Sequence, residues 1–317
     1  MNLLGITMGD PAGIGPEIIL KAFIKRDDFR EKSLIFGSYK VLKYYSELLN
    51  VGKCIKVINS VNEFDKDMIN IINVVDLDIS DIKIGEIAAL CGDAAYKYIE
   101  KAIDYAKKGE IEAVVTAPLN KEALHLGGHN FAGHTEIFAN LTDTKKFAMM
   151  LTSGNFRVIH VSTHVSLREA CDRVKKQRVL EVIILANDTL KSMGIDKQKI
   201  AVAGLNPHAG ESGIFGREEI DEIIPAIEEA RKLGINVEGP IAPDTVFLKA
   251  KKGQYDIVVA MYHDQGHIPT KLLAFDTGVN ITVGLPIIRT SVDHGTAFDI
   301  AGKGIARGDS MKIGRAH

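Results

Sequence analysis

Between Val258 and Gly304 the chain sets three histidines (His263, His267, His294), Lys271, Asn280 and Arg289 among apolar runs and glycines, which is more polar machinery than a fold needs. Two further histidines, His164 and His208, share with His263 a place just past an apolar run, at residues 157–161, 200–205 and 257–261. The last run is continuous rather than alternating, the pattern of a strand buried on both faces of a parallel sheet. In open α/β sheets ligands bind outside the carboxyl ends of the strands. If the three strands are parallel neighbours, their histidines meet on one rim. Three imidazoles there suit a divalent metal with positions left open for substrate. The spacing is long-range, so capping or loop histidines fit the same pattern.

Two more clusters can serve anions. Residues 3–8 read as a first strand, followed by GDPAGIGPE and a helix over about 16–25. Strand, glycine turn and helix can turn backbone N–H groups toward an anion. No Gly-Lys-Ser/Thr follows, and the spacing is not GxGxxG, so a tight turn that needs glycine for backbone reasons is an equal alternative. In GGHNFAGHTE (127–136), Thr135 is expected to cap a helix reaching about Leu141. His134 would then lie at a positive helix end, suited to phosphate or carboxylate.

Composition narrows the classes. A chain of 317 residues with net charge −2 has room for two lobes and carries no nucleic-acid footprint. No apolar stretch reaches membrane-spanning length, and no leader pattern precedes the first strand. Cys54, Cys91 and Cys171 are scattered, as fits buried thiols in a reducing cytoplasm rather than a disulfide framework.

The elements that must position these groups alternate between helix and strand. Strands are expected near 33–36, 55–58, 69–75, 113–117, 147–151, 157–161 and 200–205. Helices are expected near 39–49, 85–107, 120–126, 177–193 and 218–233, with a capping box at Ser166-Leu167-Arg168-Glu169 and Asp244-Thr245 capping another. Lys271 follows His263 by eight residues, beyond a turn expected at Pro269. The class is α/β in one integrated two-lobed body.

The segments MGDPAGIGPEI, GHTE, STHVSLRE, NPHAGESGIFGREE, GPIAPDTVF, AMYHDQGHIPTK and GVNITVGLPIIRTSVDHGTAFDIAG occur in order along nearly the whole chain. Together they resemble the 4-hydroxythreonine-4-phosphate dehydrogenase family. TAPLNKEALHLGGHNFAGHTE and HDQGHIPTKLL are more similar to its 4-phospho-D-threonate and 4-phospho-D-erythronate branch. The resemblance implies two α/β/α lobes around a cleft, similar to isocitrate and isopropylmalate dehydrogenases. The lobes would be 1–125 with 277–317, and 126–276.

It also implies roles. His164, His208 and His263 match metal ligands for zinc, magnesium or cobalt, in a homodimer whose metal site takes one ligand from the partner subunit. His134, Thr135, Lys271, Asn280 and Arg289 match substrate contacts. Lys271 is also the expected catalytic cation or proton donor, and Asp244 an orienting catalytic group. His294, Gly295, Thr296, Ala297 and Asp299 resemble the loop that holds the adenosine end of NAD, although Phe298 stands where related dehydrogenases usually have proline.

The implied reaction is NAD-dependent, metal-dependent oxidation of the C3 hydroxyl of a 4-phosphorylated four-carbon hydroxy acid, with decarboxylation to a dihydroxyacetone phosphate-type product. The substrate would be a small molecule, with no nucleic acid or membrane as partner. The biosynthetic dehydrogenase of pyridoxal phosphate formation, a metal-dependent hydrolase of a phosphorylated metabolite and an idle binding protein are the alternatives. Family members continue past this chain's end with another helix. Residues 312–317 read like translated adapter sequence, so a truncated gene with an exposed apolar strip is expected.

Overall fold

Continuous apolar runs have become strands covered on both faces. In β10 (Ile257–Ala260), Ile257 and Val259 enter one core cluster while Val258 and Ala260 enter another. That division follows from the period of two along a strand. The computed structural model describes residues 2–274, 278–292, 294–308 and 311. The expectation about residues 312–317 lies outside the described residues.

By contact the chain forms two units, Met1–Lys145 with Leu285–His317, and Lys146–Gly284. In chain order the first unit contributes β1 (Leu4–Thr7), α1 (Gly15–Lys25), α2 (Asp27–Arg30), β2 (Ser33–Gly37), α3 (Tyr39–Leu48), β3 (Ile55–Val57), β4 (Ile69–Asn73), α4 (Ala89–Lys107), β5 (Ala113–Thr116), α5 (Lys121–Leu126) and α6 (His134–Leu141). The second unit follows with β6 (Ala148–Ser153), β7 (Phe156–His160), α7 (Leu167–Asp172), α8 (Lys176–Ser192), β8 (Ile200–Ala203), α9 (Ile224–Lys232), β9 (Val237–Ile241), α10 (Pro243–Lys251), β10, α11 (His263–Ala274) and β11 (Val279–Val283). The chain then returns to the first unit with β12 (Ile288–Ser291).

In the first unit the strands run β3-β4-β2-β1-β5-β12, every pair parallel. The second carries β11-β6-β7-β10-β8-β9, antiparallel across β11, β6 and β7 and parallel from β7 onward. The sequence boundary at 125/126 cuts off α6, whose Ile137 and Phe138 are buried in the first unit's core. The boundary at 276/277 lies outside the described residues.

Three strands carried no sequence expectation. β9 contains Gly239 and Pro240, both strand-weakening residues, and is tolerated because it is an edge strand. β11 and β12 are short segments flanked by glycine and proline, where alternation is hard to separate from loop. Helix α4 starts four residues later than its periodicity suggests. Gly85 is in the left-handed region at φ 82°, its N–H donates to the Ala12 carbonyl at 2.8 Å, and a Cβ there would stand 2.7 Å from the Phe298 carbonyl oxygen.

The glycine turn after β1 is held from inside. Asp10 is fully buried, and its Oδ1 accepts the Ala12 N–H at 2.9 Å. Burial raises the Asp10 carboxyl to about 6, against opposing hydrogen bonds from the backbone of Ala12 and Asn120. A carboxyl raised in the folded state stabilises it most below about pH 4, and that stability is lost as pH climbs through 6. Asp10→Asn removes the ionisation. Denaturant titrations should therefore show the variant gaining on the parent by roughly 3 kcal/mol between pH 4 and pH 7.

Candidate functional site

The three strands that precede His164, His208 and His263 are adjacent. β10 pairs in parallel with β7 on one side and β8 on the other, so all three carboxyl ends emerge on one edge of the second unit's sheet. The motif after β10 then stitches this edge. Gln265, buried in α11, accepts the Met261 N–H at 2.7 Å and donates to the Gly204 carbonyl just past β8 at 2.8 Å. Ser162, just past β7, donates to the Met261 carbonyl at 3.1 Å.

His263 opens α11 and is partly exposed, whereas His164 is exposed ahead of α7. Their ring centroids lie 5.8 Å apart. The Asp264 carboxylate accepts from His263 Nδ1 at 2.6 Å, which leaves Nε2 as the nitrogen with a bare lone pair. The capping box ahead of α7 is present, with Ser166 Oγ accepting the Glu169 N–H at 3.2 Å.

His208 reaches the edge on an unusual backbone. His208, Ala209, Gly210, Glu211 and Ser212 all have positive φ, a left-handed turn in which four of five residues carry a Cβ. Each such residue costs about 1 kcal/mol or more. Glu219 offsets that cost from within. It is buried, its Oε1 accepts the N–H groups of Leu205 and Asn206 at 2.8 Å each, and its Oε2 accepts from Asn206 Nδ2 at 2.9 Å. The segment NPHAGESGIFGREE thus contains both the strained turn and its clasp.

Two imidazoles bound to one tetrahedral ion at about 2.0–2.1 Å put their ring centroids roughly 5–6 Å apart. The His164 and His263 pair fits that spacing, and the neutral nitrogen donors fit a divalent transition ion. Among the described residues no group of three or more His, Cys, Asp or Glu side chains converges, so one chain presents two of the three expected ligands together. His208 lies instead beside Phe215, with ring centroids 6.2 Å apart.

In the first unit, Arg289 on β12 and His134 at the start of α6 lie close enough for the guanidinium charge to act on the imidazole. Arg289 is almost wholly buried, donates from Nη2 to Thr116 Oγ1 at 2.9 Å and lies 5.7 Å over the Phe138 ring. Burial lowers its pKa to about 9, with Glu136 pulling the other way. A buried guanidinium with that deficit is stabilised by an arriving anion. Burial, and then the Arg289 charge, push His134 well below the usual histidine value despite a hydrogen bond to Ala117. Its buried Nε2 has no partner, so the bond to Ala117 belongs to Nδ1, and Nε2 keeps an unused lone pair.

Thr135 does not cap α6. Gly133 holds the cap position without a side-chain bond, and Thr135 lies inside the first turn. Asp244 is not a cap either: Ala242 holds that place, Pro243 opens α10, and Asp244 is exposed in the first turn. The turn expected at Pro269 is helix, because α11 runs through it to Ala274 with Thr270 Oγ1 donating to the Gly266 carbonyl at 2.7 Å. Lys271 is exposed on the last turn of α11 and so lies along a helix from His263 rather than around a bend. Asn280 is on β11 opposite Leu151, with its Oδ1 buried and unpartnered.

The loop from His294 to Asp299 is anchored to the glycine turn. Ile14 N–H donates to the Thr296 carbonyl at 3.1 Å, and a Cβ at Gly13 would approach Thr296 Cβ to 3.1 Å. Ala297 is left-handed at φ 43°, Gly295 and Asp299 are exposed, and His294 Nε2 is buried without a partner. Sequence reasoning missed Thr116, Asp264, Gln265 and Glu219. Asp264 and Gln265 were readable as neighbours of a candidate ligand, whereas Thr116 and Glu219 gave no local signal.

Residues 30–314 match the family described as Pyridoxal phosphate biosynthetic protein PdxA, and the chain belongs to this family. A relative from Oceanobacillus iheyensis, named "Putative D-threonate 4-phosphate dehydrogenase", is 52% identical over 313 residues, covering 98% of this chain and 94% of the relative. A crystal structure of a 4-hydroxythreonine-4-phosphate dehydrogenase from Klebsiella pneumoniae matches with a TM-score of 0.90 at 46% identity, over 99% of this chain and 97% of that one. A β-decarboxylating dehydrogenase from Thermococcus kodakarensis, at TM-score 0.50 and 13% identity over 99% of this chain and 82% of that one, shares the fold alone.

Strain in the turn that carries His208 is measurable. Ser212 is exposed at φ 57°, so Ser212→Gly removes a left-handed Cβ without emptying the core. Chemical denaturation should show a gain of about 0.5–1 kcal/mol. A loss of stability would mean that the turn is not left-handed in solution.

Proposed function

We propose that this chain is an NAD-dependent, metal-dependent dehydrogenase that oxidises the C3 hydroxyl of 4-phospho-D-threonate or 4-phospho-D-erythronate with loss of CO2. The product is of the dihydroxyacetone phosphate type. The observation that carries the substrate class is the relative named for D-threonate 4-phosphate, 52% identical across 98% of this chain. The buried Arg289 beside His134 supports an anionic substrate.

Each residue then has a task set by its own chemistry. Arg289 offers a planar fork to phosphate or carboxylate. His134, held neutral, accepts a hydrogen bond from a substrate hydroxyl through Nε2. Thr135 and Asn280 orient the substrate. His164 and His263 from one chain, with His208 supplied across a homodimer, hold a divalent ion such as zinc, magnesium or cobalt. That ion, when bound, supplies a Lewis acid that lowers the pKa of the C3 hydroxyl, and NAD takes the hydride. Asp244 orients the reacting groups. Lys271 returns a proton to C2 after C1 departs as CO2. His294, Gly295, Thr296, Ala297 and Asp299 form the loop for the adenosine end of NAD.

The homodimer has support on the surface. Leu167, Ile214, Phe215, Ile268 and Leu272 are exposed on the three segments that carry the histidines, with Leu272 82% exposed. Exposed apolar side chains grouped in this way fit a partner that covers them. A second copy of the chain does so by the symmetry usual for soluble oligomers.

The Klebsiella pneumoniae structure, 46% identical, favours a second reading in which the substrate is 4-phosphohydroxy-L-threonine. The two substrates differ in the C2 substituent, hydroxyl or amino. NADH formation should appear with the hydroxy acids and a divalent ion, and turnover of the amino acid alone would establish the second reading. Absence of NADH with all of them would overturn both. Arg289→Lys should raise the Michaelis constant about tenfold or more, because Lys cannot reproduce the two-pronged contact. An unchanged constant would remove Arg289 from the binding site.

A further inference from the structure

His263 is gripped from two sides, and the residues that grip it are not themselves assigned to the site. We infer that Asp264 and His267 are positioning residues that fix the His263 imidazole for a divalent ion, Asp264 by setting its rotation and His267 by setting its plane. The inference rests on reading His263 as a metal ligand.

The Asp264 contact settles where the proton is. An ionised carboxylate only accepts, so the 2.6 Å bond places the proton on His263 Nδ1 and aims Nε2 away from Asp264. A carboxylate on the far nitrogen is the common way to orient an imidazole ligand and raise its basicity. It leaves one freedom, tilt of the ring about the hydrogen bond. A metal–nitrogen bond lies in the plane of the imidazole, so tilt moves the lone pair off target.

His267 removes that freedom. It lies one helical turn further along α11, on the same face as His263. The two rings stack with centroids 3.6 Å apart and planes within 11°. His267 is itself constrained: it is buried, and its Nδ1 donates to the His263 carbonyl at 3.0 Å. Behind it stands His160, the last residue of β7, with its ring centroid 4.7 Å away and its Nδ1 donating to the Met149 carbonyl at 3.2 Å. Gly266 lets these layers close, since a Cβ there would lie 2.3 Å from His160 Nε2.

The row His160, His267, His263 therefore runs from the sheet to the edge. Leucine at 267 would fill the space without burying a polar ring, yet it offers no flat face to set a plane. The near-parallel stack of the two imidazoles points to alignment as the task of this ring.

Metal affinity tests this directly. Zinc affinity is measured by chelator competition, and the site geometry by the visible absorption of the cobalt(II)-loaded protein. The proteins compared are the parent, His263→Ala, Asp264→Ala, His267→Leu and His267→Phe, each checked for folding by thermal melting. Asp264 is exposed, so its variant keeps the fold even if the buried substitutions do not.

The expected result is a loss of roughly 10- to 100-fold in zinc affinity for Asp264→Ala and His267→Leu, with an altered cobalt spectrum. His267→Phe, which keeps a flat face, should recover most of the affinity. Zinc affinities within twofold of the parent for Asp264→Ala and His267→Leu, while His263→Ala abolishes binding, would overturn the inference. Undiminished zinc binding by His263→Ala would instead remove His263 as a ligand, and the inference with it.

Discussion

The parallel pairing of β10 with β7 on one side and β8 on the other is the constraint on which the histidine edge depends. It brings three segments far apart in the chain to one edge, and each delivers a histidine within five residues of its strand. Backbone hydrogen bonds alone would leave those segments free to splay. Gln265 and Ser162 prevent this, one tying α11 to the ends of β10 and β8, the other tying the end of β7 to that of β10. Gln265 is buried and satisfied at both ends of its amide, so removing it would strand two buried backbone groups.

Much of this was legible because parallel strands announce themselves by unbroken apolar runs. Residues 257–260 and 200–203 needed no tertiary information, nor did the glycine stops at 109 and 194, both left-handed in the structure. Cap positions were less legible. The rules favour Asp and Thr, so Asp244 and Thr135 drew the assignment, yet Pro243 is a first-turn residue and marks Ala242 as the cap. At position 269 it was proline that misled. It reads as a breaker, but burial of Gln265, Gly266, His267 and Thr270 keeps α11 continuous through it.

The part that no pattern rule could supply is the left-handed turn after β8. Single left-handed residues are foreshadowed by glycine or asparagine, but six positive-φ residues in succession, only two of them glycine, are not. Such a stretch exists only where something outside it over-determines the backbone. Here that is Glu219, eleven residues beyond His208, whose carboxylate takes three hydrogen bonds from the start of the turn. Sequence shows a charged residue on an amphipathic segment, and only the fold shows it turned inward.

Strain and exposed apolar surface occur together on this edge. The turn holding His208 also carries Ile214 and Phe215 to the outside, while α7 and α11 expose Leu167, Ile268 and Leu272. The three histidines divide accordingly: the His164 and His263 rings have centroids 5.8 Å apart, whereas His208 stands on the strained turn beside Phe215. Glu219 therefore fixes where His208 stands even though the turn around it is exposed.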